Sequence, residues 1–530
     1  MDMVARLWRW FDRTIVQLGR DLRLSYLPPL MVYCAAGVSG LTSIVGTFFI
    51  KDYLDLSAAF LAALGFWAMI PWALKMPIGH LVDLLWRHKA GLVYLGAALI
   101  AASLAIMIGL IGQPEAMRAV LPASAWYVLS ALLAPVGYVM QDAVADAMTV
   151  EAVPRIDNAG QPMDAATLRR LHTTMQMLGR VAIIGGGVLV SIANVVLFHG
   201  VESLAESAKV AIYLRLYQLA LTIPLLSVSG VVLASLLKRR EARRLAALGH
   251  SRRDIDRLLH EPEEATTPNR WILGGSAVFI ALTLGIGLSG FRYGQELIFA
   301  GSFAIIAFMM SKLLRELSPE AASTLLGTAI VIFTFRAMPG LGAGASWWMI
   351  DDLGFDQAFL SKLDLITSTL TLVGLFLFRR FMAEQSITRI VLFLVLATTV
   401  LALPSLGLFY GLHHWTAAMT GGVVDARFIA IANTALESPL GQVSMVPMLI
   451  WIANSAPSHL KATFFAVMAS FTNLALSASQ LGTKYLNELF VVSRGQYTEL
   501  GALMIAVLLI SLIVPLGAIG VVKMRGMRTA

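Results

Sequence analysis

The sequence predicts an all-α polytopic membrane protein, and three observations carry that prediction. Of its 530 residues, 58% are hydrophobic and only 14% charged, far more apolar surface than a soluble core needs. Apolar runs of about 20 residues recur along almost the whole length, enough to cross a hydrocarbon core of ~30 Å. No alternating ten-residue pattern competes with them as a β-barrel.

The runs fall at 27–50, 57–80, 90–113, 122–151, 167–198 and 210–237, then 271–290 and 294–314, then 322–349, 357–378, 387–410, 425–453, 461–486 and 499–522. The pattern is six, two and six, about 14 transmembrane helices. A charged stretch without a spanning run, 239–269, separates the first six from the pair. The expected domains are an N-terminal cytoplasmic or interfacial segment, 1–26, and a six-helix bundle, 27–238. The basic linker 239–269, an inserted helix pair 270–317 and a second six-helix bundle 318–530 follow. The pair is expected to be a peripheral hairpin. Trp8, Trp10 and Phe11 among arginines suit an interfacial helix; a plain helical extension suits them equally.

The net charge of +8 raises nucleic acid as a partner, but the placement of the charges argues against it. Arg6, Arg9, Arg13, Arg20, Arg23, Arg87, Lys89, Arg155, Arg169, Arg170 and the cluster from Lys238 to Arg257 fall on one side of the threaded chain. The other side receives a scatter such as Lys51, Arg118 and Arg494. That bias places both termini in the cytoplasm, with no cleavable signal peptide expected. Cys34 is the only cysteine, so an intramolecular disulfide is impossible. The histidines have no metal-ligand spacing, no nucleophile triad is present, and neither a cofactor nor enzymatic activity is expected.

Lys75 sits inside an apolar run, where a charge costs about 2.5–3.5 kcal/mol, so it needs a partner, a wet cavity or a function. Asp142 and Asp146 are four apart and share one helical face; their repulsion can poise one of them for proton coupling. A structural pair with Lys75 or Arg180 is the alternative. Neutralising Asp142 is then expected to abolish coupling while leaving folding intact. Arg180 and Arg336 fall near the midplane of their runs and offer planar forks to a carboxylate. Their alternative is ion pairing with Asp142, Glu437 or Asp364. Glu437 lies deep in its run before Pro439, whose ring is expected to kink the helix. Trp67 and Trp72 flank Pro71 and are expected to face a cavity, whereas Trp347 and Trp348 suit an interfacial belt. Gly185-Gly186-Gly187 permits close helix packing. Glu151 suits a salt bridge at the cytoplasmic face.

Gly79-His-Leu-Val-Asp83-Leu-Leu-Trp-Arg87-His-Lys89 resembles the loop signature between the second and third helices of the major facilitator superfamily. The resemblance implies a gate built from Gly79, Asp83, Arg87 and Lys89. The second-half counterpart, Gly374 to Arg380, keeps the glycine and the bases but lacks the acid. Further motifs narrow the resemblance to the folate–biopterin transporter family. They are Lys51-Asp52-Tyr53-Leu54, Pro71-Trp72-x-x-Lys75-x-Pro77, Gln141-Asp142-x-x-x-Asp146 with Glu151, and Asp352-Leu353-Gly354-Phe355. Gly441-Gln442 with Met445-Val446-Pro447, Ala456-Pro457, Ala462-Thr463-Phe464-Phe465-Ala466 and Phe471-Thr472-Asn473-Leu474 complete them. Lys461 stands where the family often has an acid, and the inserted pair is not a usual family feature.

The resemblance implies a secondary active transporter that moves a small anionic, pterin- or folate-like solute by alternating access, coupled to protons. Trp72, Lys75, Arg180, Arg336 and Glu437 are the expected cavity residues, and Asp142, Asp146 and Glu437 the proton-coupling candidates. A bacterial inner membrane and a monomer are expected. The rival transporter is a muropeptide permease, and the rival of another class is a membrane scaffold with every midplane charge internally paired.

Overall fold

The computed structural model describes residues 19, 22–54, 56–154, 156, 163–261, 268, 270–289, 291–315, 317–443, 445 and 461–529. Trp8, Trp10, Phe11, Arg155, Val446, Pro447, Ala456 and Pro457 lie outside the described residues, as do the side chains of Arg169, Arg170 and 461–466.

The first six long segments are α1 (Leu24–Tyr53), α2 (Ala58–Leu84), α3 (Ala90–Gly112), α4 (Ala123–Ala152), α5 (Ala165–Leu197) and α6 (Glu206–Ala247). The pair follows as α7 (Arg270–Leu288) and α8 (Gly294–Arg315). The last six are α9 (Pro319–Arg336), α10 (Gln357–Leu377), α11 (Ile387–Phe409), α12 (Ala426–Glu437), α13 (Lys461–Leu489) and α14 (Leu500–Met524). Among the described residues, eleven helices are long and apolar enough to cross a membrane. Each of α9, α12 and α13 falls outside that set.

Several of the long segments are interrupted. In α1 a 3-10 turn at Ser39–Thr42 separates two α-helical pieces. In α2 the helix runs through Pro71 and breaks at Leu74, so Lys75 opens the second piece. After α9 the chain leaves the helix at 337–342 and resumes it at Ala343–Asp351. Backbone groups freed inside a membrane need partners. Here α13 supplies them from one face: Thr483 Oγ1 accepts from the Gly340 amide at 2.8 Å, Ser479 donates to the Met338 carbonyl at 2.6 Å, and Asn487 donates to the Leu341 carbonyl at 3.3 Å. This polar stripe lowers the hydropathy of α13.

Two seams join the first six helices to the last six: α2 packs on α13, and α5 packs on α10. Each set has a crossing that is backbone on backbone. A Cβ on Gly37 would lie 2.1 Å from the Ile183 carbonyl oxygen, and a Cβ on Gly374 would lie 2.1 Å from that of Pro439. The middle glycine of 185–187 meets Gly37 from the other side.

The inserted pair covers the α2–α13 seam. Ile272, Phe279, Ile298 and Ile306 share one apolar cluster with Phe66 and Ile70 of α2 and Phe471 and Leu474 of α13. The Trp67 ring packs on Gly287 of α7, which corrects its expected place at a cavity. Gln295 donates to the Ala63 carbonyl at 3.1 Å. Its neighbour Glu296 takes Lys484 of α13 at 3.2 Å and the Tyr485 hydroxyl. The hairpin therefore touches both sides of the seam.

Charged networks mark the two ends of the bundle. At the linker end, Glu151 accepts from Lys89 at 2.5 Å and Lys238 at 3.0 Å, while Arg87 pairs with Asp256 of the short helix Arg252–His260. At the opposite end, Lys51 pairs with Asp351 at 2.6 Å across the two sets of six helices. Arg494 donates to the Ile50 carbonyl at 3.0 Å and to that of Leu54. Trp347 and Trp348 are 2% and 5% exposed, so they pack inside the bundle rather than in an interfacial belt, with the Arg494 guanidinium over the Trp347 ring. Arg427 pairs with Asp356 at 2.9 Å, and Asp425 instead caps α12 through the Phe428 amide.

Candidate substrate cavity

The break at Leu74 places Lys75 at the start of a helical piece, with its side chain on α4. Its ammonium lies 2.5 Å from Asp142 and 2.8 Å from Asp146, which are stacked one turn apart. Tyr33 of α1 completes the shell by donating its hydroxyl to the other Asp146 oxygen at 2.5 Å. One cation between two carboxylates offsets the repulsion that their spacing would otherwise create. The side chains keep 19%, 15% and 39% exposure, so the cluster borders open space instead of being sealed.

Arg180 and Arg336 behave differently. Arg180 of α5 has the Met445 sulfur as its hydrogen-bond partner, at 3.9 Å. Arg336 is the last residue of α9, and its Nε donates to the Thr472 carbonyl of α13 at 3.3 Å. No carboxylate lies within ion-pair range of either one among the described residues. Each guanidinium is within electrostatic reach of the other, and Arg180 also reaches Asp142. Three cations thus face two carboxylates, and the excess charge is positive. A planar, always-charged fork from each set of six helices suits a ligand carboxylate.

Glu437 is not part of this cluster. It ends α12, where a 3-10 turn at Ser438–Leu440 replaces the α-helix around Pro439. It lines a separate cavity of about 320 Å³ with Asn433, Leu341, Thr398, Thr399 and Ser511. No cation pairs with Glu437 among the described residues, and the Asn433 Oδ1 is buried without a partner. Trp72 lies on the α2–α13 seam, its carbonyl taking the Asn473 amide at 3.0 Å.

The gate-motif residues are dispersed. A Cβ on Gly79 would meet nothing within 4 Å, so no close contact requires a glycine there in this conformation. Asp83 is half-buried and within electrostatic reach of Lys89, without an ion pair among the described residues. Arg87 reaches the linker helix instead. Lys89 is 5% exposed, and burial pulls its ammonium down to about 8 despite Glu151 beside it and the Trp86 ring 3.7 Å below.

Sequence reasoning missed Tyr33, whose only signal was a tyrosine in an apolar run. It treated Asp364 solely as a partner for arginine. Asp364 is half-buried on α10, one turn from Ser368, which meets Ser191 of α5 at 3.1 Å, and it has no ion pair among the described residues.

A multi-helix bundle joined along two seams, with unmatched charges between its parts, defines an integral membrane transporter of the major facilitator fold. The chain belongs to the BT1 family, whose model matches residues 36–528. It is similar to a folate-biopterin transporter of Synechocystis sp., with 22% identity over 513 residues, covering 96% of this chain and 84% of the relative. Folate transporter 2 of Plasmodium falciparum is 25% identical over 164 residues, 30% of this chain and 33% of that protein. Among solved structures, the peptide transporter POT in complex with sulfate aligns with a TM-score of 0.57 at 17% identity, covering 95% of each chain. The nucleoside transporter NupG aligns at 0.50 and 13%, covering 95% of this chain and 100% of its own. Family and fold together make the chain a secondary transporter of a small molecule and not an enzyme.

Proposed function

We propose that this transporter carries a small anionic, pterin- or folate-like solute in symport with protons. It works by alternating access as a monomer in a bacterial inner membrane, with both termini and the linker end facing the cytoplasm. The observation that carries the anionic class is the pair of guanidiniums, Arg180 and Arg336, without carboxylate partners among the described residues. A folate presents a glutamate tail of matching charge, and the family relatives are named for folate and biopterin. Lys75 and Trp72 support the cavity wall from α2, and Asp142, Asp146 and Glu437 are the proton carriers to test. Gly79, Asp83, Arg87 and Lys89 form the cytoplasmic gate region. The ion pair Lys51–Asp351 ties the two sets of helices together at the opposite end.

The test is uptake of labelled pteroylglutamate into proteoliposomes under an imposed pH gradient. Wild type accumulates the label, and Arg336→Gln raises KM about 10-fold or more, as loss of a hydrogen bond to a charged group predicts. Gradient-independent, unsaturable entry would overturn the substrate reading.

A further inference from the structure

The two sets of six helices each line a half-open cavity at the same place in the repeat. One is lined by Leu341 of the break after α9 and by α11, α12 and α14, and holds Glu437. The other is lined by α1, α3, α4 and α6 and has a volume of about 290 Å³. Both abut the interruption in the first helix of their set: Leu341 of the 337–342 break lines one, and Ser39 and Thr42 of the 3-10 turn line the other. Broken helices at binding sites recur in transporters because their unwound turns present polar groups inside the membrane.

The α1–α6 cavity differs in chemistry from everything described above. No Asp, Glu, Lys, Arg or His lines it. Its polar groups are hydroxyls, and three of them are tyrosines, Tyr127, Tyr138 and Tyr217. Tyr138 stands with Ser39, and Tyr217 with Thr42, in the wall of this cavity, so aromatic rings and hydroxyls border the broken turn of α1. Tyr127 has no hydrogen-bond partner among the described residues. The floor is kept open by Ala131 and Ala134 of α4. Such a wall offers flat apolar faces together with neutral donors and acceptors, and it penalises a charged ligand that would find no counter-ion. The volume lies at the low end of the roughly 300–1,000 Å³ typical of small-molecule sites, enough for one bicyclic ring and little more.

The position links this cavity to the charged cluster. Tyr127, Ala131, Ala134, Tyr138, Asp142 and Asp146 recur every three or four residues along one face of α4. Tyr138 is one turn, ~6 Å of rise, from Asp142.

We propose that the α1–α3–α4–α6 cavity is the subsite for the uncharged heteroaromatic ring of the substrate, while Arg180 and Arg336 take its carboxylates. The inference rests on the substrate reading above and divides that substrate between two sites of different chemistry. A ligand with a ring but no carboxylate needs the first site, and a ligand with carboxylates but no pterin ring needs the second.

Binding to the purified full chain by biopterin, by p-aminobenzoylglutamate and by pteroylglutamate tests this. Ala134→Phe fills the cavity, and Tyr138→Phe removes one hydroxyl with minimal change of shape. The expected result is that both weaken biopterin and pteroylglutamate, Ala134→Phe at least 10-fold and Tyr138→Phe about 5-fold, while p-aminobenzoylglutamate binding stays within 2-fold. Arg336→Gln is expected to show the reverse pattern. Unchanged biopterin binding in both cavity variants, or equal loss of all three ligands in Tyr138→Phe, overturns the subsite. Binding of none of the three by wild type overturns the functional reading itself and the subsite with it.

Discussion

The first six helices and the last six share a layout: an interrupted first helix, a cavity of about 300 Å³ beside the interruption, and a backbone-on-backbone crossing. Their buried acids are treated differently. In the first set Asp142 and Asp146 are answered by Lys75 and Tyr33. In the last set neither Glu437 nor Asp364 has a cation among the described residues. The loop motif diverges in the same way, keeping Asp83 in the first set and no acid between Gly374 and Arg380 in the second. The repeat conserves geometry and reassigns chemistry. An acid tied to an internal cation serves structure, whereas an acid beside a cavity without one is open to a proton or a ligand.

Removing the cation is the most severe way to break this contrast. Lys75→Met leaves two carboxylates facing each other with Tyr33 as their remaining partner. Breaking a buried pair costs about 3–5 kcal/mol, and the 19% exposure of the Lys75 side chain places the effect near the lower end. The thermal midpoint of the purified protein is expected to fall by about 3 °C. Adding Asp142→Asn and Asp146→Asn should recover at least half of the loss. A midpoint equal to that of wild type in Lys75→Met would mean that the pair does not hold α2 to α4.

The complementary substitution is Glu437→Gln. It removes a charge that no side chain answers among the described residues, so folding should be little affected. Accumulation driven by a pH gradient is expected to fall about 10-fold, with substrate exchange at equal pH retained. Asp142→Asn leaves Lys75 paired to Asp146 at 2.8 Å and should lose less. Equal or greater loss in Asp142→Asn would move the proton site to α4, and the contrast between the two sets would then concern stability alone.

Much of this was legible in the chain because membranes impose simple rules. Length and hydropathy set the spans, and the cost of a charge at depth singled out Lys75, Asp142, Arg180, Arg336 and Glu437. The pairing of Lys75 could be narrowed to two acids because residues four apart share a helical face. Other features depend on contacts distant in sequence and had no local signal. Tyr33 reaches Asp146 across 113 positions. The hairpin's place on the α2–α13 seam depends on Gly287, Gln295 and Glu296 meeting residues up to about 230 positions away. Trp347 and Trp348 read as an aromatic belt because hydropathy cannot distinguish a ring facing headgroups from one facing Arg494. The break after α9 was hidden inside an apolar run: Pro339, Gly340 and Gly342 mark it, and the polar face of α13 satisfies its backbone.

The smallest expected effect concerns the end where the two sets of helices touch through charge. Asp351 takes Lys51 from the first set and the Tyr497 hydroxyl from its own. Burial and the Asp351 contact push the Tyr497 hydroxyl up to about 12, so it stays protonated and donating throughout the physiological range. The Lys51 and Asp351 side chains are 13% and 30% exposed, so the pair belongs to the partly screened class worth about 1 kcal/mol. Asp351→Asn should therefore raise the population open at this end about 5-fold. Spin labels at Ala205→Cys and Glu499→Cys, one on each set and both exposed, would read it in a Cys34→Ser background as growth of the longer-distance fraction. An unchanged distance distribution would assign closure of this end to Arg494 and the carbonyls of Ile50 and Leu54, whose bonds do not involve Asp351. Lys51→Ala, which removes the same pair from the other set, should then be equally silent.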